Sequence, residues 1–282
     1  MTAASAAARR AWPALVEAAS APYRSAGRFA WHFARGKLGI DPVFRHLLQA
    51  GLIAPQARVL DIGCGQGLLA SLLRSGDEFE RTGRWPSGWA AAPAAARVTG
   101  IELMPRDVAR AKAALGDTAE FVCGDMRHVP FPEVDAVVIL DVLHYITIPE
   151  QDAVLARVRR ALPVGGRLLL RIGDASATRG FVTSQWVDRV VTFVRGHRVV
   201  PQYGRTLAAW AAALERLGFE VRSQPMSKGT PFANVLLVAT ARESARAERW
   251  AGATQGPARA PSEPARVPAG ALTTYPLGGG QA

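Results

Sequence analysis

Residues 58–70, ArgValLeuAspIleGlyCysGlyGlnGlyLeuLeuAla, read as a buried strand that runs into a glycine turn and then into a helix. A glycine-rich turn after a strand brings backbone N–H groups close to a nucleotide. The dinucleotide fingerprint spaces its glycines G-x-G-x-x-G. Here Gly63, Gly65 and Gly67 stand at G-x-G-x-G, with Asp61 two places before the first of them. That spacing leans away from a cofactor that carries hydride.

Outward from the turn, apolar runs suited to buried parallel strands recur at 57–62, 97–102, 120–123, 135–140 and 167–172. Helical patterns lie between most of them, at 106–115 and 151–162. Upstream, Asp41 reads as an N-cap, Pro42 as the first helical residue and Gly51 as a stop. Repeated strand and helix alternation implies a doubly wound, mostly parallel sheet with helices on both faces. The runs at 219–223 and 234–240 are joined by GlnProMetSerLysGlyThrProPhe, too short for a crossover helix, so they predict an antiparallel hairpin at the sheet's edge. The expectation is therefore a seven-stranded α/β sheet closed by a C-terminal antiparallel hairpin.

The chain of 282 residues, 49% hydrophobic and 20% charged, can supply a core for one large α/β domain. No apolar run approaches the roughly 20 residues of a membrane span, and Arg9 and Arg10 precede no signal-peptide core. A cytoplasmic protein is expected. Cys64 and Cys123 lack His or Cys neighbours at metal spacing, so no metal is expected and two reduced thiols in or near a core are. The net charge of +11 is uneven: residues 1–40 carry +5 and residues 241–282 carry +2, leaving +4 for the body between them. With no basic stripe interleaved with aromatics, nucleic acid is a minor reading.

In a doubly wound sheet, ligands bind outside the carboxyl ends of the strands where the strand order reverses. The second predicted strand ends in Glu102, placed to accept from ribose hydroxyls. The third is followed by GlyAspMet, which puts Asp125 where an adenine amino group could donate to it. The fourth leads into Asp141, His144 and Tyr145.

These elements, in this order, resemble those of the class I S-adenosylmethionine-dependent methyltransferases of small-molecule type, over roughly residues 40–240. The resemblance implies S-adenosylmethionine as cofactor, with S-adenosylhomocysteine as product, and assigns roles by position. Gly63, Cys64, Gly65 and Gly67 would face the methionine part, with Asp61 orienting that loop or the ammonium group. Glu102 would hold the ribose hydroxyls, Leu103 and Met126 would sandwich the adenine, and Asp125 would bond its amino group. Asp141 would touch the amino-acid end of the cofactor, fix the loop or take part in proton transfer. His144 is the candidate base, or a packing residue, and Tyr145 borders the acceptor.

Two departures from the family pattern stand out. Asp61 and Glu102 are 41 positions apart, where about 20 is usual. The surplus, about 75–95, is a Pro/Gly/Trp insertion that reads as a surface loop or a substrate lid. The Asn- or Asp-ProProTyr motif of amino-group methyltransferases is replaced by AspValLeuHisTyr, which points to small molecules.

The expected organisation is an Ala/Arg-rich extension at 1–28, a frayed helix or a mobile segment, then covering helices at 29–56. The cofactor-binding domain follows at 57–240, with an acceptor-covering segment at about 173–205 and a disordered tail at 241–282. Arg179 and Trp186 in the covering segment are candidates for holding an acidic or aromatic acceptor, which an acidic carrier protein could present. The same residues also fit a solvated helix face with a buried stripe. The favoured expectation is methyl transfer to a small molecule, oxygen ahead of carbon or nitrogen. The alternatives are another transferase of the same cofactor family and an RNA-modifying or nucleic-acid-binding protein.

Overall fold

A computed structural model describes residues 3–173, 203–227 and 234–243, with side chains from residue 11 onward. Arg179 and Trp186, most of the segment 173–205 and nearly all of the tail 241–282 lie outside the described residues.

The chain begins with α1 (Ala3–Ser20), a 3-10 turn at Ala21–Arg24, α2 (Arg28–Ile40) and α3 (Pro42–Gln49). The alternating body follows as β1 (Arg58–Ile62), α4 (Leu68–Arg81), β2 (Arg97–Glu102), α5 (Pro105–Leu115), β3 (Glu120–Cys123) and β4 (Ala136–Leu140). It continues with α6 (Ile148–Ala161), β5 (Arg167–Gly173), α7 (Leu207–Arg216), β6 (Phe219–Pro225) and β7 (Asn234–Ala241). The seven strands lie in the order β3-β2-β1-β4-β5-β7-β6. All neighbours among β1–β5 are parallel, and β7 runs antiparallel to both β5 and β6. This is the doubly wound sheet with an antiparallel edge hairpin that the sequence pattern predicts. The order reverses between β1 and β4, so the carboxyl ends of those two strands frame the crevice.

The sheet is covered on both faces because its central strands are apolar on both. On one side Val59, Val138 and Leu169 pack with α1–α5; on the other Leu60, Ile139 and Leu170 pack with α6 and α7. The stretch 1–28, read as a frayed helix or a mobile segment, contains α1, whose Trp12, Leu15, Val16 and Ala19 are buried. Their i, i+3, i+4, i+7 spacing forms one apolar stripe. Ala and Arg dominate the rest of that helix and hide the stripe in composition.

Local chemistry sets the helix starts. Asp41 accepts from Val43 N at 3.1 Å and caps α3, a contribution of about 1 kcal/mol. Helix α6 starts three residues ahead of its expected start at 151. Thr147 and Glu150 form a reciprocal capping box, with Pro149 in the first turn.

The Pro/Gly/Trp insertion lies at the amino ends of the strands, because it leads into the start of β2. Gln56 N donates to Ala94 O at 2.7 Å and Ala90 N to Gln49 O at 3.1 Å. Trp89 packs on Trp12 of α1 with ring centroids 6.4 Å apart, and Trp85 meets Trp89 edge-on at 5.4 Å. The loop thus anchors the first helices to α4 on the side of the sheet away from the strands' carboxyl ends.

Candidate cofactor and acceptor site

The three turn glycines all have positive φ, at +75° for Gly63, +56° for Gly65 and +74° for Gly67, a region that costs other residues about 1–2 kcal/mol. Gly63 N and Cys64 N both donate to Ile101 O, at 2.8 and 3.2 Å, which pins the turn to the end of β2. A Cβ on Gly63 would stand 2.5 Å from Val142, and one on Gly67 would stand 2.6 Å from the Phe121 ring. On Gly65 it would meet none of the described residues within 4 Å. Gly63 and Gly67 therefore serve close packing, whereas Gly65 opens onto free space where a ligand can approach the backbone. The Cys64 side chain turns the other way, since its Sγ would lie 2.7 Å from a Cβ on Gly100. Burial, with Asp61 and Glu102 nearby, pushes that thiol well above its ordinary pKa, so Cys64 offers the site its backbone and no thiolate.

Two carboxylates flank the turn with different surroundings. Glu102 at the end of β2 accepts from Gly65 N and from Met104 N, both at 2.9 Å, one bond per oxygen. Each oxygen keeps a lone pair for a further donor. Asp61 at the end of β1 is buried, and its carboxylate makes no hydrogen bond or ion pair among the described residues. Burial first, and then the like charge of Glu102, push its pKa up to about 7. A buried carboxylate without a counter-charge beside an open backbone cradle suits a cationic ligand group. Together with the spare acceptors on Glu102, this fits the ammonium and ribose hydroxyls of S-adenosylmethionine.

At the ends of β2 and β3, Leu103 is 59% exposed and Met126 is partly buried against the α6 side of the core. Cys123 is an exposed free thiol at the end of β3. The carboxylate of Asp125 accepts from its own neighbour: Arg127 reaches it through Nε at 2.9 and 3.0 Å and through Nη2 at 2.6 Å, and also donates to Glu150 at 2.7 Å. The Arg127 side chain holds Asp125 below the ordinary carboxylate pKa. Asp125 follows β3 directly, and Arg127 competes for its oxygens, which sequence spacing did not reveal.

On the acceptor side, Asp141 follows β4 with φ +59°, a left-handed conformation rare outside glycine. Its carboxylate receives Arg171 of β5, through Nε at 2.9 Å and through Nη2. The remaining arm of Arg171 binds Asp41, which also receives Lys37 Nζ at 2.8 Å. Burial works to raise the Asp41 pKa, but Arg171 and Lys37 overcome it and hold the group at about 2. His144 and Tyr145 lie in a 3-10 turn just beyond, with ring centroids 4.2 Å apart. Burial pulls the His144 pKa down against an opposing pull from Asp141, which leaves the imidazole neutral near pH 7. Its backbone carbonyl accepts from Tyr203 N at 2.8 Å, which ties this turn to the start of the α7 segment.

Three residues that shape the site escape the sequence pattern. Arg171 sits inside the apolar run LeuLeuLeuArgIle, and a charge there is its one signal. Tyr23 donates to the Gln66 carbonyl at 2.8 Å and so fastens the glycine turn to the segment after α1. Gln66 itself is 1% exposed, and neither atom of its carboxamide has a partner among the described residues.

A family model described as a methyltransferase domain matches residues 80–170. Over 130 residues the chain is 33% identical to the carboxy-S-adenosyl-L-methionine synthase of Chromohalobacter salexigens, covering 43% of each chain. Over a stretch of the same length it is 31% identical to the 27-O-demethylrifamycin SV methyltransferase of Amycolatopsis mediterranei, covering 43% of this chain and 41% of that one. The match thus spans less than half the length of these curated relatives. An O-methyltransferase family protein from Burkholderia thailandensis shares the fold with a TM-score of 0.53 at 19% identity, over 78% of this chain and 62% of that one. In its fold, its glycine turn and its domain match over residues 80–170, the chain is similar to the class I, Rossmann-like S-adenosylmethionine-dependent methyltransferases.

Proposed function

We propose that the chain transfers a methyl group from S-adenosylmethionine to a small-molecule acceptor, aromatic or acidic, with oxygen favoured over carbon or nitrogen. The observation that carries this reading is the pairing of Asp61, a buried carboxylate with no counter-charge among the described residues, with Gly65, whose open side meets none of them within 4 Å. Bound there, the cofactor supplies an electrophilic methyl group on a sulfonium centre. The chain's part is to hold and orient. Asp61 faces the ammonium, Glu102 accepts from the ribose while fixing Gly65, and Leu103 and Met126 border the adenine. Asp125 accepts from the adenine amino group as Arg127 yields. Charge disperses along the reaction coordinate, so alignment and exclusion of water supply most of the acceleration. His144, neutral near pH 7 and next to Tyr145, is the group that takes a proton from a hydroxyl acceptor, with Asp141 shaping its surroundings. Support for an oxygen acceptor comes from the rifamycin O-methyltransferase among the relatives.

Calorimetric titration with S-adenosylhomocysteine tests the cofactor half, and absence of binding sinks it. For the transfer half, methyl-labelled cofactor is incubated with the protein and a metabolite extract, and the labelled product is identified by mass. A second reading, transfer of a different group within the same cofactor family, is favoured by the synthase among the relatives. An acceptor heavier by one methylene unit supports methyl transfer; a modified cofactor with no methylated acceptor supports the second reading.

A further inference from the structure

Helix α2 is held at both ends by residues of the body. At its start, the Arg110 guanidinium of α5 lies 4.7 Å from the centre of the Phe29 ring, and Phe33 stacks on Phe29 at 6.1 Å. At its end, Asp41 closes α2, caps α3 and binds Arg171 of β5. Helix α5 follows β2, and Arg171 sits beside Leu140 of β4. The two attachments therefore lie on opposite sides of the β1–β4 crevice, three strand spacings apart, about 14 Å. The Cα path from Phe29 to Asp41 covers twelve residues of helix, about 18 Å. Within the helical layer on the α1–α5 face of the sheet, α2 thus joins α5 to the end of β5.

Arg171 is the only side chain among those described that binds both α2's end and the wall after β4. It is 2% exposed, so its charge is costly unless fully paired. Its three bonds go to two carboxylates, one on each side. One of them, Asp141, holds an unfavourable backbone conformation while its side chain remains 30% exposed to the crevice. A conformation of that kind persists only where the surroundings fix it. The direct link from Asp141 to Val142 also touches the cofactor turn, because Val142 packs over Gly63.

Resting on the methyltransferase reading above, we propose that Arg171 is a positioning residue for the acceptor. By gripping Asp141 and Asp41 together, it sets the 141–145 wall that carries His144 and Tyr145 and locks it to the junction of α2 and α3. The acceptor then meets a wall whose place one guanidinium fixes. The planar fork is essential to this role, since a lysine would carry the charge without reaching both carboxylates in register.

The test uses the full chain with Arg171→Lys and Asp41→Asn, and its first readout needs no acceptor. Hydrogen exchange is followed with S-adenosylhomocysteine bound, at the amides of Tyr145 and Ile146, which bond to Val142 and Leu143 carbonyls. Both variants should exchange there at least tenfold faster than the wild type, with β1 amides unchanged. Unchanged exchange at 145–146, or a rise spread evenly over β1, overturns the proposal. The second readout is label transfer to the extract fraction that wild type methylates. Arg171→Lys should lose at least tenfold in rate at saturating cofactor, with S-adenosylhomocysteine affinity within threefold of wild type. A rate within twofold of wild type, or an equal loss in cofactor affinity, also overturns it. Failure of the wild type itself to bind S-adenosylhomocysteine sinks the cofactor reading instead.

Discussion

Asp61 and Glu102 stand on adjacent strands, yet only one of them is satisfied by the protein. Glu102 is spent on the backbone of Gly65 and Met104, so it shapes the cradle even before a ligand arrives. Replacing it with Gln turns one acceptor oxygen into a donor facing an N–H. Glu102→Gln should weaken S-adenosylhomocysteine binding by about ten- to a hundredfold, the loss of one or two bonds to a charged group, measured by calorimetry. Asp61 carries the pH dependence. Its folded pKa, about 7, is raised above the ordinary carboxylate value. The stabilisation it contributes is therefore complete below that ordinary value and is lost as pH rises through about 7. A cationic group bound beside it reverses the preference by favouring the carboxylate and releasing its proton. Affinity for S-adenosylhomocysteine should rise from about pH 6 to about pH 8, and Asp61→Asn should bind weakly and lose that slope. A flat wild-type profile would contradict this. Both acids are legible in the sequence because an acidic residue ending an apolar run has few structural reasons to be there. Arg171 is not, because its partners, Asp41 and Asp141, come from segments 130 and 30 residues away. Spacing within one strand cannot announce contacts of that range.

Among the elements, the glycine turn separates fold from function within five residues. Gly67→Ala would drive a Cβ to 2.6 Å from the Phe121 ring at φ +74°. The neighbour is a buried aromatic ring, so the melting temperature should fall by several degrees, as a loss of about 2 kcal/mol would give for a chain of this size. Gly65→Ala meets no atom of the described residues within 4 Å. It should show only the smaller cost of its φ, about 1 kcal/mol, while losing most of its affinity for S-adenosylhomocysteine. Thermal melts run beside calorimetry check both, and equal behaviour of the two variants would contradict the division of labour. The strands themselves were readable because parallel strands buried on both faces are apolar throughout. Start β2 at 97 and β3 at 120, and the sequence runs match the structure residue for residue. Helix starts were less legible. The capping box ThrIleProGlu works through a side chain reaching back to a backbone N–H, which apolar periodicity does not register.

At the scale of the whole molecule, the N-terminal helices are part of the core. Leu15 is fully buried, on a helix that packs against α2 and α4, and Ser71 of α4 donates to Ala19 O at 2.6 Å. Leu15→Ala should cost about 2–5 kcal/mol in urea denaturation, as a core position does; a cost below about 1 kcal/mol would show that the helix is dispensable. The attachment also reaches the site, since Tyr23 holds the Gln66 carbonyl from the same segment. Composition suggested an appendage here because Ala and Arg outnumber the few large residues that do the packing. Trp12, Trp85 and Trp89 gather where α1, α4 and the insertion meet. Their indoles are close enough to share excitation energy, and they lie away from the crevice. The chain thus carries a native optical gauge: the part of the near-ultraviolet circular dichroism that Trp12→Phe removes should follow the seating of its first helix.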